Sequence, residues 1–64
     1  MNFEFSVDFE SQVIKIIVDN SITVEAWKEH HGAITYSRFS KLESEELQDK
    51  LKEICVILFT IDEI

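Results

Sequence analysis

Hydrophobic and polar residues alternate without a break over residues 2–9. Phe3, Phe5, Val7 and Phe9 fall on one side; Asn2, Glu4, Ser6 and Asp8 fall on the other. A period of two in aromatic and β-branched residues predicts a half-buried strand. After the polar break Glu10-Ser11-Gln12, residues 13–18 (Val-Ile-Lys-Ile-Ile-Val) predict a second strand, apolar on the side of Ile14, Ile16 and Val18 and mixed on the other. The short break makes the two an antiparallel hairpin.

Asp19-Asn20-Ser21 has turn chemistry. The stretch that follows, residues 22–31, reads two ways. In the first, Thr23 is the N-cap of a short helix, Glu25 lies in its first turn and Gly32 closes it. In the second, residues 22–27 form a third strand and residues 28–32 a hairpin loop. The caps and the helix-forming run Glu25-Ala26-Trp27-Lys28-Glu29 favour the helix, although Glu25 and Glu29 repel at i,i+4. Residues 33–39 alternate again and predict a strand.

Residues 41–61 predict a long helix. Ser40-Lys41-Leu42-Glu43 has the form of a capping box. Leu47, Leu51, Ile54, Leu58 and Ile61 step by four and three residues and trace one apolar stripe. Glu46 and Lys50 form an i,i+4 pair in the favourable orientation. Beyond Glu53 the other sides turn apolar as well, with Cys55, Val56 and Phe59 pointing away from the leucine stripe. Residues 54–61 also have strand propensity, but no turn residue separates them from the helix before them. A helix of 21 residues would be about 31 Å long, as long as a globule of this size is wide.

The expected fold is therefore α+β, in the order ββαβα: a small antiparallel sheet with a long C-terminal helix packed on it. The alternative is a four-stranded meander followed by that helix, ββββα. With 64 residues, one glycine and no proline, the chain reads as a single domain, residues 1–64.

Charge narrows the function. Thirteen acidic against six basic side chains give a net charge of -7, which argues against direct nucleic-acid binding and against anionic membranes. The longest apolar run, residues 54–59, is far too short to span a bilayer, and Met1-Asn2-Phe3-Glu4 is not a secretory leader. With a single cysteine, Cys55, a reducing cytoplasmic setting is the expectation.

No constellation predicts catalysis, a metal or a cofactor. The adjacent His30 and His31 point apart and read as a surface pair. Cys55 sits in an apolar run and reads as a small buried hydrophobe. The chain is expected not to be an enzyme. It reads instead as an acidic protein-interaction module, self-associating through Cys55, Val56 and Phe59 into a homodimer. Its acidic face, drawn from Glu4, Asp8, Glu43, Glu45, Glu46, Asp49 and Glu53, is expected to meet a basic protein partner, with Trp27 as an exposed anchor. Compact acidic chains of this kind also suit accessory proteins of phage or mobile elements. The alternative function is an inhibitor that mimics nucleic-acid charge and occupies a basic DNA- or RNA-binding cleft.

Overall fold

A computed structural model describes residues 2–62. Strands β1 (Phe3–Asp8), β2 (Val13–Val18), β3 (Ile22–Lys28) and β4 (Ile34–Ser37) are followed by a short 3₁₀ turn at Phe39–Lys41 and by helix α1 (Glu45–Asp62). The strands form one antiparallel meander in the order β1-β2-β3-β4. The fold is α+β in the ββββα order, and the short helix expected within residues 22–31 is a strand.

Local geometry explains that correction. Asp19 and Asn20 both adopt positive φ, 52° and 57°, and the Ser21 amide donates to the Val18 carbonyl at 3.1 Å. Two successive left-handed residues make the type I′ turn whose twist suits a hairpin, so the chain re-enters the sheet at once. Ile22, Val24 and Ala26 then stand opposite Val18, Ile16 and Ile14. That pairing buries an apolar set which a solvent-exposed short helix would have left open. Gly32, at φ 94°, belongs to the β3–β4 loop and closes no helix.

The helix begins later than the capping box suggests. Phe39–Lys41 forms the 3₁₀ turn, entered through Arg38 at φ 67°, and it buries Phe39 and Leu42 at one end of the core. Ser44 is the N-cap: its Oγ accepts from the Leu47 amide at 3.2 Å, and its carbonyl accepts from the Gln48 amide. Gln48 Nε2 reaches back to the Leu42 carbonyl at 2.9 Å. Glu45 and Glu46 occupy the first turn, where the helix dipole favours them. The Glu46–Lys50 pair is present at 3.4 Å, though it is well exposed and contributes little.

The core lies between α1 and one face of the sheet. Ile14, Ile16, Val18, Val24 and Ala26 meet Leu51, Cys55 and Phe59. The helix therefore docks about one residue out of phase with the 47-51-54-58-61 stripe. Leu51 is shared by both rows, but Ile54 and Ile61 are exposed, while Cys55 and Phe59, expected at an outer surface, are buried. Both rows are apolar, so periodicity alone does not rank them. The row 51-55-59 has a small side chain, Cys55, at its middle, between the larger Leu51 and Phe59.

This phase has a measurable consequence. Leu51→Ala removes fully buried methyl groups and should cost about 2–5 kcal/mol. Ile54→Ala, on the exposed flank, should cost less than about 1 kcal/mol. Urea denaturation of the two variants checks the order; equal losses would place the helix in the other phase.

Candidate interaction surface

Four strands at about 4.8 Å spacing make a sheet wider than one helix of about 10 Å diameter can cover. Residues opposite one another in an antiparallel pair share a face. Phe3, Phe5 and Val7 stand opposite Val18, Ile16 and Ile14, so they lie on the helix-bearing face. Yet Ile14 and Ile16 are wholly buried, whereas Phe3 is 38% and Phe5 42% exposed. Their rings lie 6.3 Å apart, centre to centre, in a tilted arrangement. Val7 is half-buried, and Phe9, just past the strand, is exposed.

The position of α1 follows from its other flank. Lys52 Nζ lies 5.2 Å from the centre of the Tyr36 ring, which fixes the Lys52 side of the helix over β4. Tyr36 in turn packs edge-on against Phe39 at 5.1 Å. At about 100° per residue, Ile54 and Ile61 lie opposite Lys52, with Ile57 beside them. Ile54 and Ile61, both exposed, therefore form the flank towards β1, while Ile57, also exposed, turns further out, close to the row of Glu46 and Glu53. Half-buried Leu58 lies between that flank and the core. The uncovered side of β1 and the flank of α1 bearing Ile54 and Ile61 thus lie on the same side of the molecule.

The acidic residues do not gather on one face. Glu46, Asp49 and Glu53 lie on the side of α1 turned away from the sheet, with Glu45 in the first turn beside them; all are exposed. Glu43, also exposed, precedes the helix and rims a hollow of about 320 Å³ floored by Val18, Ile22, Leu42 and Leu47. Glu4 and Asp8 project from the opposite face of the sheet, in rows with Ile17 and Val13. The expected acidic face thus divides into an α1 group and a β1 pair on opposite sides of the molecule. Of the expected self-association residues, only Val56 is exposed. The sequence reasoning missed Phe3, Phe5, Ile54, Ile57 and Ile61. The clean alternation of β1 marked Phe3 and Phe5 as face residues, but not as residues beyond the reach of the helix.

Trp27 is half-buried on the outer face of the sheet, opposite Val13 and Thr35. Its indole N–H donates to Glu29 Oε1 at 2.9 Å, and the Thr35 hydroxyl donates to the same oxygen at 3.0 Å. Glu29 therefore clasps the β3–β4 hairpin. These bonds, the Trp27 bond first, hold its carboxyl below its ordinary value of 4.5, with smaller help from His31 and His30. An open hollow of about 520 Å³ lies between this loop and the β1–β2 loop. In the β1–β2 loop, Asp8 Oδ1 accepts from the Glu10 and Ser11 amides at 3.0 and 3.2 Å. That lowers the Asp8 pKa too, Ser11 making the larger contribution.

Cys55 is buried and free, and desolvation pushes its thiol up to about 11, which suits a packing residue. Among the described residues no group of His, Cys, Asp and Glu is placed to hold a metal ion, and no helix is long and apolar enough to cross a membrane. Compared with known proteins, the chain matches no family model, no curated protein and no solved structure.

The two lowered carboxyls make stability depend on pH in a fixed direction. A folded-state pKa below the unfolded value stabilises the fold above the unfolded pKa, and that contribution is lost as pH falls through the folded one. Glu29→Gln should lower the urea midpoint at neutral pH and flatten its decline as pH falls below the ordinary carboxyl value of 4.5. Trp27 fluorescence reads the transition. An unchanged decline would mean that Glu29 has no part in it.

Proposed function

We propose that this protein is a small, non-enzymatic interaction module that works as a homodimer and presents the acidic side of α1 to a basic protein partner. One observation carries the reading: α1 is divided along its length. Its first half bears Glu45, Glu46, Asp49 and Glu53, exposed and mostly turned from the sheet. From Ile54 to Ile61 it has no charged residue at all, and leaves Ile54, Ile57 and Ile61 uncovered. An uncovered apolar flank is suited to a permanent contact, and a charged exposed one to steering a partner of opposite sign. A net charge of -7 supplies the field.

The test separates the two surfaces. Immobilised wild type is compared in host extract with a Glu45→Gln, Glu46→Gln, Asp49→Asn variant. The wild type should retain a protein of high isoelectric point, progressively lost as salt rises towards about 0.5 M, where the screening length is short. The triple variant should lose that protein while keeping its own oligomeric state. A retained set that is identical for both proteins and indifferent to salt would refute the reading.

A further inference from the structure

We infer that the occupant of the uncovered β1 edge is a second copy of this chain, paired antiparallel through β1 about a two-fold axis at Phe5. This rests on the homodimer reading above and specifies where and in what register the copies meet.

β1 is an edge strand, and the ladder to β2 shows which of its backbone groups point outward. The Asp19 amide donates to the Asn2 carbonyl at 2.8 Å, so Asn2 and Asp19 form a bonded pair. In an antiparallel ladder such inward-facing residues alternate with outward-facing ones. Phe3, Phe5 and Val7 therefore turn their N–H and C=O groups to the free edge. Residues 3–8 hold no proline and no lysine, and their pairing with β2 runs without a bulge; the charges they do carry, Glu4 and Asp8, restrict which register a second strand can take. The other edge, β4, is only four residues long.

Charge selects one register. Side chains stay on matching faces only if the two-fold axis passes through a residue, and three axes are then possible near the middle of the strand. An axis at Glu4 sets Glu4 against the partner's Glu4. An axis at Ser6 sets Glu4 against the partner's Asp8. With the axis at Phe5, Phe5 meets the partner's Phe5, Phe3 meets the partner's Val7, Glu4 meets the partner's Ser6 and Asp8 meets the partner's Asn2. No acid stands opposite an acid, and every outward-facing group of Phe3, Phe5 and Val7 finds a complement.

The rest of the surface fits the same axis. The sheet becomes eight-stranded, and the phenylalanines of both copies rise between the two helices, beside Ile54 and Ile61 of each. The helices run antiparallel, so the acidic first halves stand at opposite ends, where screening over about 8 Å isolates them. At 38–53% exposure, Phe3, Phe5, Ile54 and Ile61 leave roughly 300 Å² of apolar surface per copy. That is somewhat under half of the ~800 Å² each partner buries in a stable interface, and backbone and polar rim supply the remainder.

Sedimentation equilibrium of the whole chain at tens of micromolar should give twice the chain mass of 7.5 kDa. Phe5→Lys sets two like charges face to face and should return the mass to that of one chain, with circular dichroism unchanged. Phe5→Cys should oxidise to a covalent dimer, because directly opposed residues have Cα atoms about 5.5 Å apart, within disulfide range. Val7→Cys should not, since the two copies of residue 7 are then about 14 Å apart. A wild type of single-chain mass overturns the pairing, as does equal cross-linking at positions 5 and 7. Dissociation by Ile57→Lys but not by Phe5→Lys also overturns it, by placing the contact on the helix alone. A monomer that still holds its basic partner would overturn the pairing and leave the acidic-surface reading intact. A dimer whose triple variant keeps every partner would do the reverse.

Discussion

The width of a helix against the width of a sheet governs this molecule. One helix spans about two strands, and the sheet has four. β2 and β3 are sealed, and β4 is partly closed by Tyr36, Phe39 and Lys52. β1 is left with its phenylalanines on the covered side of the sheet but beyond the cover. The chain also has little material to spare: its Cα radius of gyration is 11.4 Å, and its extents are 31 × 18 × 16 Å. A uniformly sealed core would have required a second helix or a wider one.

The same limit explains the division of labour along α1. Its first half is solvated on the outside and carries acid near the positive end of the helix dipole. Its second half is apolar on more sides than the sheet can use. Leu51, Cys55 and Phe59 take the sheet, Ile54 and Ile61 remain on the flank towards β1, and Ile57 is left on the outer side. In the two-fold pairing proposed above, the antiparallel arrangement would keep the acidic halves of a chain with a charge of -7 apart.

The loops are held by their own side chains. Asp8 and Glu29 each use one carboxylate oxygen to gather two donors, and so hold the two hairpins at the same end of the sheet. Ser44 and Gln48 fix the entry to α1. His30 and His31 lie exposed in the β3–β4 loop, and Cys55 is enclosed with its thiol raised.

Much of the secondary structure was legible in the residues themselves. The alternation of Phe3, Phe5 and Val7, the run from Val13 to Val18 and the leucine-rich tail mark two strands and a helix, because each pattern has one dominant period. Residues 22–28 were ambiguous because the caps around them suit a helix and the Ile22-Val24-Ala26 alternation suits a strand; only pairing with β2 decides between them. The rotation of α1 was likewise decided by tertiary structure, since two neighbouring rows are equally greasy and only the shape of the sheet beneath selects 51-55-59. That choice moved Cys55 and Phe59 inward and Ile54, Ile57 and Ile61 outward. A linear pattern says which residues seek cover, but how far the cover reaches depends on the spacing of strands and the breadth of a helix.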